Sequence, residues 1–178
     1  MIKSKGAILL FTILSVWRAE ASDVAFKGNL LDIPCQVSAD SLDKHIVFKT
    51  RATRDFWSQP GRSPTESFVI KLENCHPTAF GKIVDLTFKG SEEPALPGHL
   101  QVAGVNSGRL GIALLDTDGI SLLKLGVEHN KGNGDKITGS TITLPFGAYV
   151  VATPDAIRLK SVVPGDYEAT ATFELNYR

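Results

Sequence analysis

The chain has 178 residues, 43% of them hydrophobic, which suits one domain with its own core. Its 19 Lys and Arg balance 19 Asp and Glu, so it lacks the charge footprint of a nucleic-acid binder or of a protein held to anionic lipid. Two cysteines and four scattered histidines leave no metal-ligand spacing, and no metal or other cofactor is expected.

Lys3 and Lys5 form a basic start, and Ala7 to Trp17 is an apolar run broken only by Thr12 and Ser15. Ala19-Glu20-Ala21 fits a small-residue cleavage site, which predicts a leader over 1–21 that is removed before Ser22. The apolar run is about half of the roughly 20 residues a membrane span needs. Export is therefore expected, without membrane insertion.

An alternating segment follows, with Val24, Phe26, Gly28 and Leu30 on one face and Asp23, Ala25, Lys27 and Asn29 on the other. Pro34 removes a ladder donor and constrains Ile33, so it separates this segment from what comes next. Spacing alone fits two readings: an ordinary first strand, or a free arm whose apolar teeth serve another molecule. Cys35 and Cys75 are an even count in an exported chain, which favours a bridge over free thiols or a metal pair.

The body of the chain reads as all-β. Ile46, Val47 and Phe48 suggest a strand soon after Cys35. The polar stretch 51–65, with Trp57, Pro60, Gly61 and Pro64, reads as a loop in which Trp57 is a packed anchor. Phe68, Ile70 and Leu72 share one face of a strand, and Val84, Leu86 and Phe88 share a face of another. Leu110, Ile112 and Leu114 mark a third, and Ile142, Leu144, Phe146, Ala148 and Val150 make the longest interior alternation. Turn signals separate them at Gly90, Pro94, Pro97-Gly98, Asp118-Gly119, Asn133-Gly134, Pro154 and Pro164-Gly165. Short strands with this punctuation predict a β-sandwich.

Motifs for chemistry fall away. His45, His76, His99 and His129 are isolated in sequence, and no G-x-S-x-G elbow is present. The stretch 130–136 lacks phosphate-loop spacing and reads as a solvated hairpin loop. Asp116-Thr117-Asp118-Gly119 lacks the later acidic ligand of a calcium loop and reads as a turn. Nothing supports an enzyme.

The chain finishes in a strict period of two over 167–177. Tyr167, Ala169, Ala171, Phe173, Leu175 and Tyr177 lie on one face and Glu168, Thr170, Thr172, Glu174 and Asn176 on the other, with Arg178 last. No later segment is available to cover the next edge of this strand, and an open edge beside a core invites another chain.

Taken together, these features resemble pilin subunits of the bacterial chaperone–usher pathway along the full length. The leader, the arm over 24–30 with central Gly28, Pro34-Cys35, Cys75, Gly165 as fourteenth residue from the end and penultimate Tyr177 carry the likeness. The run from Ser22 to Cys35 and the ending from Ser161 to Arg178 look most like a minor pilin that joins tip fibrillum to rod. The resemblance implies an incomplete immunoglobulin-like sandwich over 34–178, lacking its C-terminal seventh strand, with a donor-strand extension over 22–33. It implies a periplasmic chaperone that lends a strand, an outer-membrane usher, and neighbouring pilins whose arms replace the loan.

Carried over by position from that family, the resemblance implies donor teeth at Val24, Phe26 and Leu30, with Gly28 where the groove admits no side chain. It implies an acceptor groove that involves Gly165, Ala171, Phe173, Leu175 and Tyr177, an Arg178 carboxylate that meets basic residues of the chaperone, and Cys35 and Cys75 tying the first two strands. Two further readings are another minor tip pilin and a glycan-binding adhesin. A third is a self-contained secreted immunoglobulin-like domain.

Overall fold

The computed structural model describes Lys27 and residues 34–178. The expected leader and the arm residues Val24, Phe26, Gly28 and Leu30 lie outside the described residues.

Among the described residues, ten strands form antiparallel ladders. They are β1 Gln36–Val37, β2 Glu66–Glu73, β3 Ile83–Gly90, β4 Leu100–Gln101, β5 Ala103–Gly104, β6 Leu110–Leu115, β7 Asp135–Lys136, β8 Ile142–Ala152, β9 Tyr167–Glu168 and β10 Ala171–Tyr177. Two short helices accompany them, α1 Ala39–Leu42 and α2 Pro154–Leu159. One sheet runs β1-β2-β8-β6-β4, a second runs β10-β3-β7, and β5 pairs with β9 apart from both.

The two larger sheets bury their apolar faces against each other. The expected teeth of β2 (Phe68, Ile70, Leu72), β3 (Val84, Leu86, Phe88) and β8 (Leu144, Phe146, Ala148, Val150) are all buried. Aromatic rings join the layers: Phe88 of β3 meets Phe146 of β8 edge to face at 5.2 Å and Phe68 of β2 at 6.2 Å. Pro145 fits within β8 because it stands opposite Val69 and beyond the residues of β8 that pair with β6. Its missing N–H therefore removes no ladder bond.

Cys35 and Cys75 form a disulfide and are both buried. The bridge links the chain just before β1 to the chain just after β2 and encloses α1 and the segment 44–48. Trp57 is the anchor expected of it, its indole N–H donating to the Val162 carbonyl at 3.2 Å.

Four readings need correction. Ile46, Val47 and Phe48 form no strand: they alternate, but no ladder partner lies beside them among the described residues, and Val47 is 82% exposed. The alternation of 167–177 is one pattern over two strands, because β9 pairs with β5 while β10 pairs with β3. Pro154 opens a helix instead of a turn. Thr153 caps it by accepting from the Ala156 N–H, and proline at the first turn leaves no bond unmade.

The stretch 130–136 is not a hairpin loop, since β6 and β7 belong to different sheets. It crosses between layers, pinned where the carboxylate of buried Asp116 accepts from the Asn130 and Lys131 N–H groups. His129, isolated in sequence, is wholly buried at its start. Its Nδ1 accepts from the Leu86 N–H at 2.9 Å, which leaves Nε2 to donate to Asp135 at 2.9 Å.

The Asp116–Gly119 turn forms as expected, closed by the Gly119 N–H on the Asp116 carbonyl. Beside it, the Ser121 hydroxyl and the Ser121 and Ile120 N–H groups all donate to Asp118, holding its carboxyl at about 2, below its usual 3.8. A depressed folded pKa stabilises the turn above the unfolded value, and that contribution is lost as pH falls through about 2. The Ser121 amide resonance should therefore titrate with a midpoint near 2. A midpoint at the usual carboxylate value would contradict these bonds.

Candidate functional site: an apolar groove beside the last strand

The alternating face of β10 differs from those of β2, β3 and β8. Its odd residues, Ala171, Phe173, Leu175 and Tyr177, are only half-buried. The other strands bury their apolar teeth under the facing sheet, so β10 behaves as a core strand whose cover is incomplete.

The gap beside it is a groove of about 840 Å³. Ala171, Phe173 and Leu175 line one wall, and Ile46 and Phe48 line the other. Phe68, Ile70, Phe88, Leu100, Ile112 and Leu114, drawn from both large sheets, also line it. Phe173 continues the aromatic cluster, its ring edge-on to Phe88 at 6.3 Å. At the Tyr167 end, Phe48 and Tyr167 approach at 6.3 Å.

Backbone polarity completes the description. Arg178 and Ile83 exchange both backbone bonds, N–H to C=O at 3.0 and 2.7 Å. Antiparallel ladders alternate bonded and open pairs, so Asn176, Glu174 and Thr172 also bond to β3. The N–H and C=O groups of Ala171, Phe173, Leu175 and Tyr177 then point away from β3, toward an edge without a partner among the described residues. Segment 44–48 borders the groove without ladder bonds of its own. An arrangement of this kind offers an extended peptide both backbone bonds and apolar pockets.

The structure brings three of the expected groove residues together, Ala171, Phe173 and Leu175. Tyr177 shares their face but lies beyond the groove lining, its hydroxyl buried without a hydrogen-bond partner among the described residues. That burial pushes the phenol pKa up. Gly165 also lies outside the lining, in the turn before β9. Its φ of 150° and contact with Val105, into which a Cβ would run at 2.5 Å, account for glycine there.

Arg178 turns its side chain away from the groove. Its Nε donates to Asp85 Oδ2 at 2.7 Å, and this bond raises the guanidinium pKa. Sequence reasoning missed Ile46 and Phe48 as the opposite wall, although their alternation was visible. Asp85 left no signal, being a polar residue at a position expected to face outward.

Among the described residues, no group of three His, Cys, Asp or Glu could hold a metal, and no helix is long and apolar enough to cross a membrane.

Comparison with known proteins gives a consistent picture. The fimbrial protein family matches residues 24–178. The chain is 77% identical, over all of both chains, to the fimbrial adapter PapK of Escherichia coli. Among solved structures it resembles the P pilus rod subunit PapA, with a TM-score of 0.66 at 24% identity, covering 82% of this chain and 99% of that one. It likewise resembles a subunit in the structure of a chaperone–usher pilus, with a TM-score of 0.67 at 23% identity, covering 92% of this chain and 99% of that one.

Proposed function

This chain belongs to the fimbrial protein family, and on that footing we propose that it is a minor pilus subunit, the adaptor between tip fibrillum and rod, which takes in a strand from another molecule. It is a structural component of an extracellular pilus and not an enzyme, as its relatives are. One observation carries the strand-acceptance reading: an open apolar groove runs beside a final strand whose outer edge is unpaired among the described residues.

On this reading, residues 34–178 are an immunoglobulin-like sandwich lacking its seventh strand, and 22–33 is a donor extension behind a cleaved leader. A periplasmic chaperone fills the groove first. At the outer-membrane usher, the arm of a neighbouring pilin replaces it. The energetics favour occupancy. Each buried Phe- or Leu-sized tooth contributes about 1.5–3 kcal/mol, and each rung on β10 adds about 0.5–1.5 kcal/mol. An empty groove forgoes all of this, so the free subunit should be short-lived.

In the outgoing direction, Val24, Phe26 and Leu30 are the teeth that enter a neighbour, and Gly28 crosses where no side chain fits. Substituting Gly28→Ile should block entry into fibres yet leave the chaperone complex intact, because that complex uses the subunit's own groove. Fibre incorporation at the wild-type level, scored by immunoelectron microscopy, would remove Gly28 from this role.

A further inference from the structure

Arg178 makes more contacts than the end of a strand requires. Besides the 2.7 Å bond from Nε, its Nη2 reaches Asp85 Oδ1 at 3.3 Å and the carbonyls of Gly132 at 3.1 Å and Asn133 at 3.2 Å. Asp85 is 1% exposed, on β3 opposite Asn176, and Arg178 is its ion-pair partner. The loop is fitted closely over that carboxylate. Gly134 has φ +62°, and a methyl group there would run into Asp85 and the Val84 carbonyl. The Asn130 amide holds the Gly134 carbonyl at 2.7 Å. One planar fork thus joins β3, β10 and the loop 130–134, a geometry that a lysine cannot reproduce.

We propose that the Arg178 side chain is a positioning group for strand acceptance: by tying the last rung of β10 to the loop 130–134 across buried Asp85, it holds the free edge of β10 in register for an incoming strand. The inference rests on the strand-acceptance reading above. Strand ends fray unless they are tied down, and a frayed accepting edge offers an incoming backbone fewer aligned partners. Arg178 acts at the end of the edge whose middle, Phe173 and Leu175, lines the groove.

Neutralising Asp85 and holding β10 are separable. Arg178→Ala alone strands a buried carboxylate and depresses stability. Asp85→Asn combined with Arg178→Ala removes that charge without restoring the tie, and Arg178→Lys keeps the charge but loses the fork. The mature chain should be refolded with a synthetic peptide of residues 22–33 and with the corresponding arm peptides of sibling pilins. Three quantities are then read on each complex: thermal midpoint, hydrogen exchange at the Ile83 amide in the last rung, and peptide dissociation rate.

The double variant and Arg178→Lys should melt within a few degrees of wild type. In both, Ile83 exchange and peptide dissociation should be about tenfold faster, the scale of one charge-assisted bond. Wild-type exchange and dissociation in the double variant would show that Arg178 only neutralises Asp85, and would overturn the proposal. Failure of the wild-type chain to take up any peptide would overturn the groove reading and this inference with it.

Discussion

Phe173→Asp should abolish recovery of the subunit as a complex with the periplasmic chaperone proposed above. Phe173 lies opposite Phe88 in the β10–β3 register, with its ring 6.3 Å away and directed into the groove. A strand laid over the groove would seal an aspartate there against Phe68 and Phe88. Burying an unpaired charge costs several kcal/mol even after relaxation, comparable with the roughly 5–15 kcal/mol that separates most folded domains from their unfolded chains.

The opposite face of the same strand provides the control. Glu174 forms an exposed pair with Lys89 at 2.6 Å, and Glu174→Gln should change recovery little, because surface pairs of this kind contribute about 0–1 kcal/mol. Co-purification from the periplasm measures both. Normal recovery of the Phe173→Asp subunit would show that β10 does not face an inserted strand.

Replacing both cysteines with serine should have the next largest effect. The Cys35–Cys75 bridge closes a loop with a sequence separation of 40 and is worth about 4 kcal/mol in the chain-entropy model. For a domain of this size that corresponds to a fall in melting midpoint of about 8–16 °C. The site matters as well as the amount. The bridged loop carries segment 44–48, so Ile46 and Phe48 lose the tether that fixes them as a groove wall. The filled complex should therefore melt earlier and release its strand sooner. A melting curve unchanged by the double substitution would contradict this account.

Much of the fold was legible because burial and the period of two coincide along β2, β3 and β8. An alternating run that buries one face is specified locally, and the structure places those teeth as expected. Features that depend on a partner remote in sequence were not legible. Ile46 and Phe48 alternate like a strand, yet a strand also needs a neighbour to bond, and alternation does not supply one. The run over 167–177 keeps its period through a change of partner, so the break between β9 and β10 leaves no mark in the pattern. Thr153-Pro154 fits a helix start as well as a turn, and the turn was the wrong choice.

The site was legible in part for the same reason. The β10 lining is contiguous in sequence, so Ala171, Phe173 and Leu175 could be named together before any contact was known, and all three line the groove. The opposite wall and the Asp85–Arg178–loop 130–134 network are assembled from distant segments. His129 illustrates the limit: its partners Leu86 and Asp135 come from two strands, and nothing in its neighbourhood predicts that it would be buried.

Amide hydrogen exchange on β10, with and without a donor peptide, tests most directly whether this subunit is completed by another molecule's strand. The account predicts that the Phe173 and Leu175 amides, which point to the open edge, become strongly protected when peptide is added. The Thr172 and Glu174 amides, already bonded to β3, should change little. Equal protection of all four before any peptide is present, with no change afterward, would mean that the edge is already occupied and would contradict the account.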